Sequence, residues 1–291
     1  MIKRQKKKNG PSLLIAMGIV LAGVALMLYP FVSNYLYERE QEELIQSVDN
    51  TEMEEELLQE EWEKAKAYNS YLLEENIVLT DPFDPEAFAK QSEVSYEEIL
   101  NPYGNGMMGY LEIPAIDLSL GIYHGTSPHV LEEGVGHLEN SSLPIGGESI
   151  HSVLSAHTGL PDKKLFTDLV LLEKGDTFYI HVLDEILAYK VDNIEVVTPD
   201  DTESLHVVPG EDHVTLVTCT PYGVNSHRLL VRGTRIPYVP EEKAQAEESS
   251  FWTGSPWMRQ YVMAIMGGIL LVALLLLAGT WIGRRRQNEK R

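Results

Sequence analysis

Two uncharged apolar runs near the ends of this 291-residue chain restrict the folded part to the segment between them. The first extends from Leu13 to Val32 and the second from Tyr261 to Ile282. At about 1.5 Å of rise per helical residue, each run can cross the roughly 30 Å hydrocarbon core of a bilayer. A cleaved signal peptide is the alternative for the first run, but no clean small-x-small cleavage site follows it. We therefore predict a transmembrane helix at each end.

Charged residues are distributed unevenly along the chain. The formal net charge is -21, yet basic clusters precede the first apolar run, within Lys3–Lys8, and follow the second, within Arg284–Arg291. Because Lys and Arg beside a membrane segment favour the cytoplasm, we expect both termini inside the cell, the protein in the cell membrane, and the acidic middle outside. The acidic balance also argues against a nucleic-acid partner.

The segment after the first apolar run is acidic and then rich in proline. In residues 38–76, apolar residues recur at helical spacing, which predicts one or two helices; they are Leu57, Leu58, Trp62 and Ala65. We interpret these helices as a solvated spacer that lifts the rest of the chain off the membrane. From Thr80 to Pro85, two prolines bracket an aromatic residue and forbid a regular helix or an internal strand. On spacing alone this segment is a stiff linker loop.

From Gly109 onward the pattern changes to short apolar runs of strand length, separated by Gly, Pro and Asn. The eight runs are Tyr110–Pro114, Leu118–Tyr123, Ser152–Ala156, Thr177–Val182, Ile186–Val191, Ile194–Val197, Val214–Cys219 and Arg228–Ile236. Eight strands suit a closed barrel, so we predict a mainly β fold. Short helices are expected near residues 163–172 and 201–205.

The chain has one cysteine, Cys219, so no intramolecular disulfide can form. It ends a β-branched run that begins at Thr215, and Pro221 and Gly223 force a loop directly afterwards. A thiol on a rigid strand end that opens into a loop fits a nucleophile. A buried structural cysteine is the plain alternative.

Two further residues could assist a thiol nucleophile. Arg228 begins the next predicted strand, and an antiparallel return would bring its permanent charge near Cys219, although an isolated arginine is more commonly a surface residue. A thiol also needs a base, and His157 follows the predicted strand that ends at Ala156. Spacing alone does not select His157 over three other histidines, which are His124, His137 and His227.

No motif indicates a cofactor. Glycine-rich stretches at Gly134–Gly136 and Gly146–Gly147 lack the strand-to-helix context of a nucleotide loop. The histidines do not cluster with acids at metal-ligand spacing, and one cysteine is too few for a cysteine-rich zinc site. We therefore expect neither a cofactor nor a metal site.

Five segments between Gly109 and Gly233 form a recognisable series. They are Gly109–Pro114, Gly136–Leu138, Ser155–Pro161, Lys164–Phe166 and Thr215–Gly233. In this order the chain resembles the sortases, and specifically their class C, pilin-assembling group. The resemblance covers roughly the central half of the chain and implies an eight-stranded sortase-type β-barrel.

The resemblance also implies a role for each candidate residue. It makes Cys219 the nucleophile, His157 the general acid and base, and Arg228 the group that binds an oxyanion or orients the substrate. The implied reaction is transpeptidation. The thiolate attacks the Thr-Gly bond of an LPXTG-type sorting signal, and a pilin lysine amine then resolves the thioacyl enzyme. One departure is Thr158 after the histidine, where the family more commonly has Arg.

The proline-bracketed loop gains a meaning from the same resemblance. Asp81, Pro82 and Phe83 resemble the lid motif of class C enzymes, which implies that Asp81 pairs with Arg228 and that Phe83 covers Cys219. Such a lid must open before substrate enters. A second membrane helix also fits this class.

These observations predict eight segments in chain order. They are a basic cytoplasmic tail (1–12), a transmembrane helix (13–32), an acidic helical spacer (33–78), a lid loop with linker (79–108), the catalytic barrel (109–238), a linker (239–260), a transmembrane helix (261–282) and a basic cytoplasmic tail (283–291). Three other functions stay open. They are a housekeeping sortase that anchors surface proteins with LPXTG-type signals to cell-wall peptide, a Cys-His protease, and a noncatalytic membrane-tethered binding module in which Cys219 is inert.

Overall fold

The computed structural model describes residues 10–51, 53–75, 79–84, 96–102, 104–160, 162–243, 263 and 265–270. Two long helices come first, α1 (Gly10–Asp49) and α2 (Glu55–Glu75). Across the described ranges, no helix meets the length and apolarity that a membrane span requires. Most of the predicted second span, 261–282, lies outside these ranges.

Eight strands form a closed barrel. They are β1 (Met107–Ile113), β2 (Leu118–His124), β3 (Val135–His137), β4 (Ile150–Ser155), β5 (Thr177–Val182), β6 (Glu185–Val197), β7 (Asp212–Thr220) and β8 (His227–Ile236). Their order around the barrel is β1-β2-β3-β4-β7-β8-β6-β5, and β5 pairs with β1 to close it. The pairs β2–β3 and β4–β7 are parallel, and the others are antiparallel. The predicted eight-stranded barrel is confirmed.

Short helical segments connect the strands. One α-helix, α3 (Pro128–Glu133), precedes β3, and its N-cap Ser127 accepts a hydrogen bond from the backbone N–H of Val130. The 3₁₀ segments are Tyr96–Glu98, Pro114–Ile116, Leu165–Leu171 and Glu203–Leu205. The helices expected near residues 163–172 and 201–205 are therefore present as 3₁₀ turns.

The predicted number of strands, eight, is correct, but one observed strand was predicted as two and another was not predicted. The two runs predicted at Ile186–Val191 and Ile194–Val197 form the single strand β6, whose pairing with β8 shifts register between Val191 and Asn193. The bulge residue Asp192 binds Arg232, so a polar interruption does not end the strand.

The strand β3 has only three residues and was not predicted. Its central residue is Gly136, and a Cβ there would collide with the carbonyl oxygen of Gly125. A glycine that permits close backbone approach looks like a turn signal in the sequence.

The helix α2 packs on the barrel. Its residues Ala65, Tyr68 and Leu72 form one buried face at helical spacing. Beside them Asn69, only 3% exposed, accepts a hydrogen bond from Leu143 N at 2.7 Å and donates one to Leu143 O at 3.2 Å. The interpretation of this segment as a solvated spacer is therefore wrong for α2, because this face is buried and even the acidic Glu61, only 3% exposed, accepts a hydrogen bond from Leu100 N at 2.7 Å.

A small apolar cluster joins the lid segment to the barrel wall. Its buried members are Leu79, Leu138, Val153, Leu205, Val217 and Leu230, with Phe83 and Val197 packed against them. Residues 79–84 thus lie on the outside of β4, β7 and β8, close to where β7 ends.

We predict that Asn69→Ala lowers the free energy of unfolding by about 1–3 kcal/mol, because it leaves both backbone groups of Leu143 buried without their partner. Chemical denaturation measures the change. The control is Ser70→Ala on the exposed side of the same helix, which we expect to change stability by less than about 0.5 kcal/mol. Equal effects of the two substitutions would contradict the assigned role of Asn69.

Candidate active site

The thiol of Cys219 and the guanidinium of Arg228 are brought together by one strand pair. Strands β7 and β8 are antiparallel with Cys219 opposite Arg228 and Thr220 opposite His227. The loop between them turns through Gly223 and Asn225, whose φ angles are 73° and 58°. The antiparallel return expected from the sequence is therefore observed, and it places a permanent positive charge beside the thiol.

A parallel strand pair brings His157 to the same end of the barrel. Ser155 of β4 is the register partner of Val217 of β7. The chain continues along β7 after this pair, since Ala156 N donates to Val217 O at 3.2 Å and Thr218 Oγ1 donates to Ala156 O at 2.7 Å. In this register Ala156 lies beside Thr218, and the next residue, His157, comes level with Cys219.

The carboxylate of Asp81 binds Arg228 through both oxygens. Arg228 Nε donates to Oδ1 at 2.8 Å and Nη2 donates to Oδ2 at 2.5 Å. The remaining nitrogen, Nη1, donates to the carbonyl oxygens of Asn225 and His227 at 3.3 and 3.2 Å. The side chains of Arg228 and Asp81 are only 11% and 12% exposed. All three guanidinium nitrogens thus donate hydrogen bonds in this structure.

The ring of Phe83 contacts both the imidazole and the guanidinium. Its centroid lies 5.8 Å from that of His157, and the Cζ atom of Arg228 lies 5.1 Å from the same ring centre. The lid is a tight turn, since Asp84 N donates to Asp81 O at 3.0 Å and Pro82 is buried within it. Asp81 therefore pairs with Arg228 as the resemblance implied, and Phe83 packs against the side chains of His157 and Arg228, whereas its cover of Cys219 stays a prediction.

The surroundings of Cys219 and His157 in this structure disfavour the charged forms of both side chains. Burial raises the pKa of the Cys219 thiol, Arg228 lowers it, and Asp81 raises it further. Burial lowers the pKa of His157, against a smaller opposite effect of Glu132. A raised thiol pKa and a lowered imidazole pKa both disfavour the thiolate–imidazolium pair in this structure.

Two of the other candidate histidines, His137 and His124, form hydrogen bonds away from Cys219. His137 is fully buried, with Nδ1 2.8 Å from Tyr96 Oη and Nε2 2.9 Å from Ser142 O, and burial lowers its pKa to about 4. The ring nitrogens of His124 lie 2.9 and 2.6 Å from the carbonyl oxygens of Gly106 and Ile99. These two histidines serve the fold.

The third candidate, His227, is half-buried at the start of β8, where its Nδ1 lies 2.9 Å from Ser226 Oγ. A metal is also not indicated. No group of three or more His, Cys, Asp or Glu side chains could hold an ion in the part of the chain that the structure describes.

Two residues near the site carried no usable sequence signal. Glu132 on α3 acts on the pKa of His157 although it lies in a different element. Tyr222 covers Gly159, because a Cβ at Gly159 would lie 3.0 Å from Tyr222 Cε2. Only the folded chain brings the loop after β7 against the loop after β4.

One protein family matches this chain. The family described as "Sortase domain" matches residues 111–236. Sortase A of Staphylococcus aureus (strain NCTC 8325 / PS 47) is 29% identical over 240 residues, which are 79% of this chain and 99% of that protein.

Solved structures narrow the match to one class of that family. The crystal structure of sortase C-1 from Streptococcus pneumoniae has a TM-score of 0.63 and 47% identity, and the match covers 68% of this chain and 100% of that chain. Sortase C1 of Streptococcus agalactiae, solved in complex with MTSET, has a TM-score of 0.61 and 45% identity over 67% of this chain and 97% of that chain. The chain therefore belongs to the sortase family of cysteine transpeptidases and, within that family, to class C.

Proposed function

We propose that this protein polymerises pilins by cleaving the Thr-Gly bond of an LPXTG-type sorting signal and joining the acyl group to a lysine amine of a pilin subunit. The observation that carries the proposal is the bidentate pair between Asp81 and Arg228, directly opposite Cys219. It supports both the assignment of Arg228 to the reaction and the assignment of residues 81–83 to a lid.

In the first step, Cys219 attacks the threonine carbonyl carbon of the sorting signal. The thiol proton passes to His157, and the sulfur forms a bond to the carbon, whose oxygen becomes an oxyanion that Arg228 stabilises. When the carbon–nitrogen bond breaks, the imidazolium gives its proton to the departing glycine amine. The product is a thioacyl enzyme with a neutral imidazole.

In the second step, the lysine of the next subunit resolves the thioester. The incoming ammonium loses a proton, which His157 accepts, and the amine nitrogen attacks the thioester carbon. As the bond to sulfur breaks, the nitrogen gives up a second proton, which the departing thiolate of Cys219 takes, and an isopeptide bond is left. The proton held by His157 then passes to solvent. One imidazole thus accepts and then returns a proton in the first step, and it acts as base in the second.

The closed lid is incompatible with this reaction. Asp81 occupies Nε and Nη2 of Arg228, and its charge raises the pKa of the thiol that must ionise. Lid opening would release both nitrogens for substrate and remove a charge that opposes the thiolate. We infer that residues 81–83 keep Cys219 unreactive until a substrate or partner displaces them.

We also infer that the enzyme is held in the cell membrane by the two predicted spans, 13–32 and 261–282, with the barrel segment 109–238 outside. The support is the two uncharged apolar runs of the sequence. The first run lies in α1 (Gly10–Asp49), which does not meet the requirements of a span in the described residues but exposes large apolar side chains. Leu21 and Leu26, for example, are 65% and 76% exposed, as expected for groups that lipid would cover. Both termini would then lie in the cytoplasm.

The reaction itself is tested by incubating the full chain with an LPXTG-type peptide and a pilin domain that carries the acceptor lysine. We expect a thioacyl adduct and an isopeptide product by mass spectrometry, none from Cys219→Ala, and about 10²–10³-fold less from Arg228→Ala. Arg232→Ala is the matched control on the same strand and should retain activity, because its partner Asp192 lies at the bulge of β6. Transfer to water alone would favour the protease. In a parallel incubation with an added cell-wall peptide, transfer to that peptide and not to the pilin lysine would favour the housekeeping enzyme.

The lid is tested by the reactivity of the thiol toward iodoacetamide. Phe83→Ala should alkylate at least about tenfold faster than the unmodified chain, because access no longer requires local opening of the turn. Val224→Ala in the neighbouring exposed loop is the control and should leave the rate unchanged. Equal rates for the unmodified chain and Phe83→Ala would refute the covering role of the ring.

The charge effect of the lid is tested by the pH dependence of the same alkylation. Asp81→Asn removes a carboxylate that raises the thiol pKa and leaves Arg228, which lowers it, so the midpoint should move to lower pH. Asp192→Asn removes an equivalent bidentate partner from Arg232 and should leave the midpoint unchanged. A midpoint that stays fixed or rises in Asp81→Asn would contradict the assignment.

A further inference from the structure

The helix α1 docks on the barrel through polar side chains that are buried. Asn34, Tyr37 and Gln41 are 1%, 6% and 2% exposed and share one face of the helix. Tyr37 Oη donates to Glu133 O at 2.8 Å, and Gln41 Nε2 donates to the same oxygen at 3.2 Å. Gln41 Oε1 also accepts from Gly121 N at 3.0 Å. Directional bonds of this kind fix the helix at one position.

Among these residues, Asn34 bonds to the segment that follows the His157 loop. Its Oδ1 accepts a hydrogen bond from Lys164 N at 2.8 Å, and its Nδ2 donates to Glu38 Oε1 at 2.8 Å. The Lys164 side chain is itself buried and donates to the carbonyl oxygens of Ile116 and Asp117 at 2.5 and 3.2 Å. Lys164 is thus held at its backbone by α1 and at its ammonium by the turn after β1.

The residues that follow Lys164 hold the His157 loop at two points. Phe166 N donates to His157 O at 3.0 Å, and Gly159 N donates to Thr167 Oγ1 at 3.1 Å. Between Lys164 and Phe166, the fully buried Leu165 has a φ of 40°. A left-handed conformation at a residue other than glycine persists only where the surroundings enforce it. The bonds to Lys164 and Phe166 flank this residue on both sides.

We propose that Asn34 is a positioning residue for His157, acting through its hydrogen bond to Lys164. This inference deepens the proposed function and rests on the role given there to His157. Asn34 lies two residues beyond Val32, the last residue of the predicted first span. The helix that leaves the membrane is therefore a part of the framework that holds the catalytic base, and the barrel is not free to turn on a flexible tether.

A purely structural role of α1 is the competing explanation, and Gln41 separates the two. Gln41 is as buried as Asn34 and lies on the same helix face, but its bonds go to Gly121 and Glu133. Loss of either side chain weakens the docking of α1. Only the loss of Asn34 removes a bond from the segment that holds His157.

The test compares kcat and KM of the full chain with an LPXTG-type peptide across three substitutions. Asn34→Leu has nearly the same shape but no acceptor, Asn34→Asp keeps an acceptor oxygen for Lys164 N, and Gln41→Leu is the control. We expect kcat of Asn34→Leu to fall about tenfold with KM within about twofold, as for a misplaced catalytic group. Asn34→Asp should retain most of kcat. Gln41→Leu should keep the kcat of the unmodified chain, although its Tm should fall by about as much as that of Asn34→Leu.

Equal losses of kcat in Asn34→Leu and Gln41→Leu would overturn the proposal, and so would an unchanged kcat in Asn34→Leu. Asn34→Ala replaces Asn34→Leu if the latter does not fold. Amide hydrogen exchange gives a readout that needs no substrate: the amides of Gly159 and Phe166 should exchange faster in Asn34→Leu and not in Gln41→Leu. Failure of the unmodified chain to form product would count against the proposed function alone, because the exchange experiment still decides the role of Asn34.

Discussion

The register of β7 against its two neighbours determines where every group of the site can lie. Strand β7 pairs in parallel with β4 and antiparallel with β8, so the ends of β4 and β7 meet the beginning of β8 at one end of the barrel. A slip of one residue would turn the Cys219 side chain to the opposite face of the sheet. The buried residues on both sides of β7, from Val214 to Val217, prevent that slip.

A single ion pair then links the segment 79–84 to the site. Asp81 binds the guanidinium of Arg228 and at the same time disfavours ionisation of Cys219, and the proposed lid function rests on this pair. The desolvation cost of a largely buried ion pair offsets much of its attraction, so its net stabilisation is modest. Such a contact can break at little cost in free energy, whereas the apolar cluster that contains Leu79 keeps this segment on the barrel.

The sequence predicted the eight-stranded barrel, but not the bounds of each strand, the buried face of α2 or the geometry of the site. Periodicity located the long strands. The bulge at Asp192 interrupts the apolar pattern of β6, so the sequence predicted two strands there. The close backbone contact at Gly136 requires a glycine, which made β3 look like a loop. The buried face of α2 was masked by acidic residues on its outer face. Spacing could not select His157 among the histidines, and the lid was identified only through resemblance to a family. The bond from Asn34 to Lys164 joins residues 130 positions apart through a backbone N–H, which no side-chain pattern reveals.

A double-mutant cycle between Asp81 and Arg228 tests the central claim most directly. The rate of Cys219 alkylation at one pH is measured for the unmodified chain, Asp81→Asn, Arg228→Gln and the double variant. If the ion pair closes the site, Asp81→Asn accelerates alkylation when Arg228 is present and has little further effect when Arg228 is already replaced. Equal acceleration in both backgrounds would mean that Asp81 acts independently of Arg228, and the lid would then not be closed by this pair.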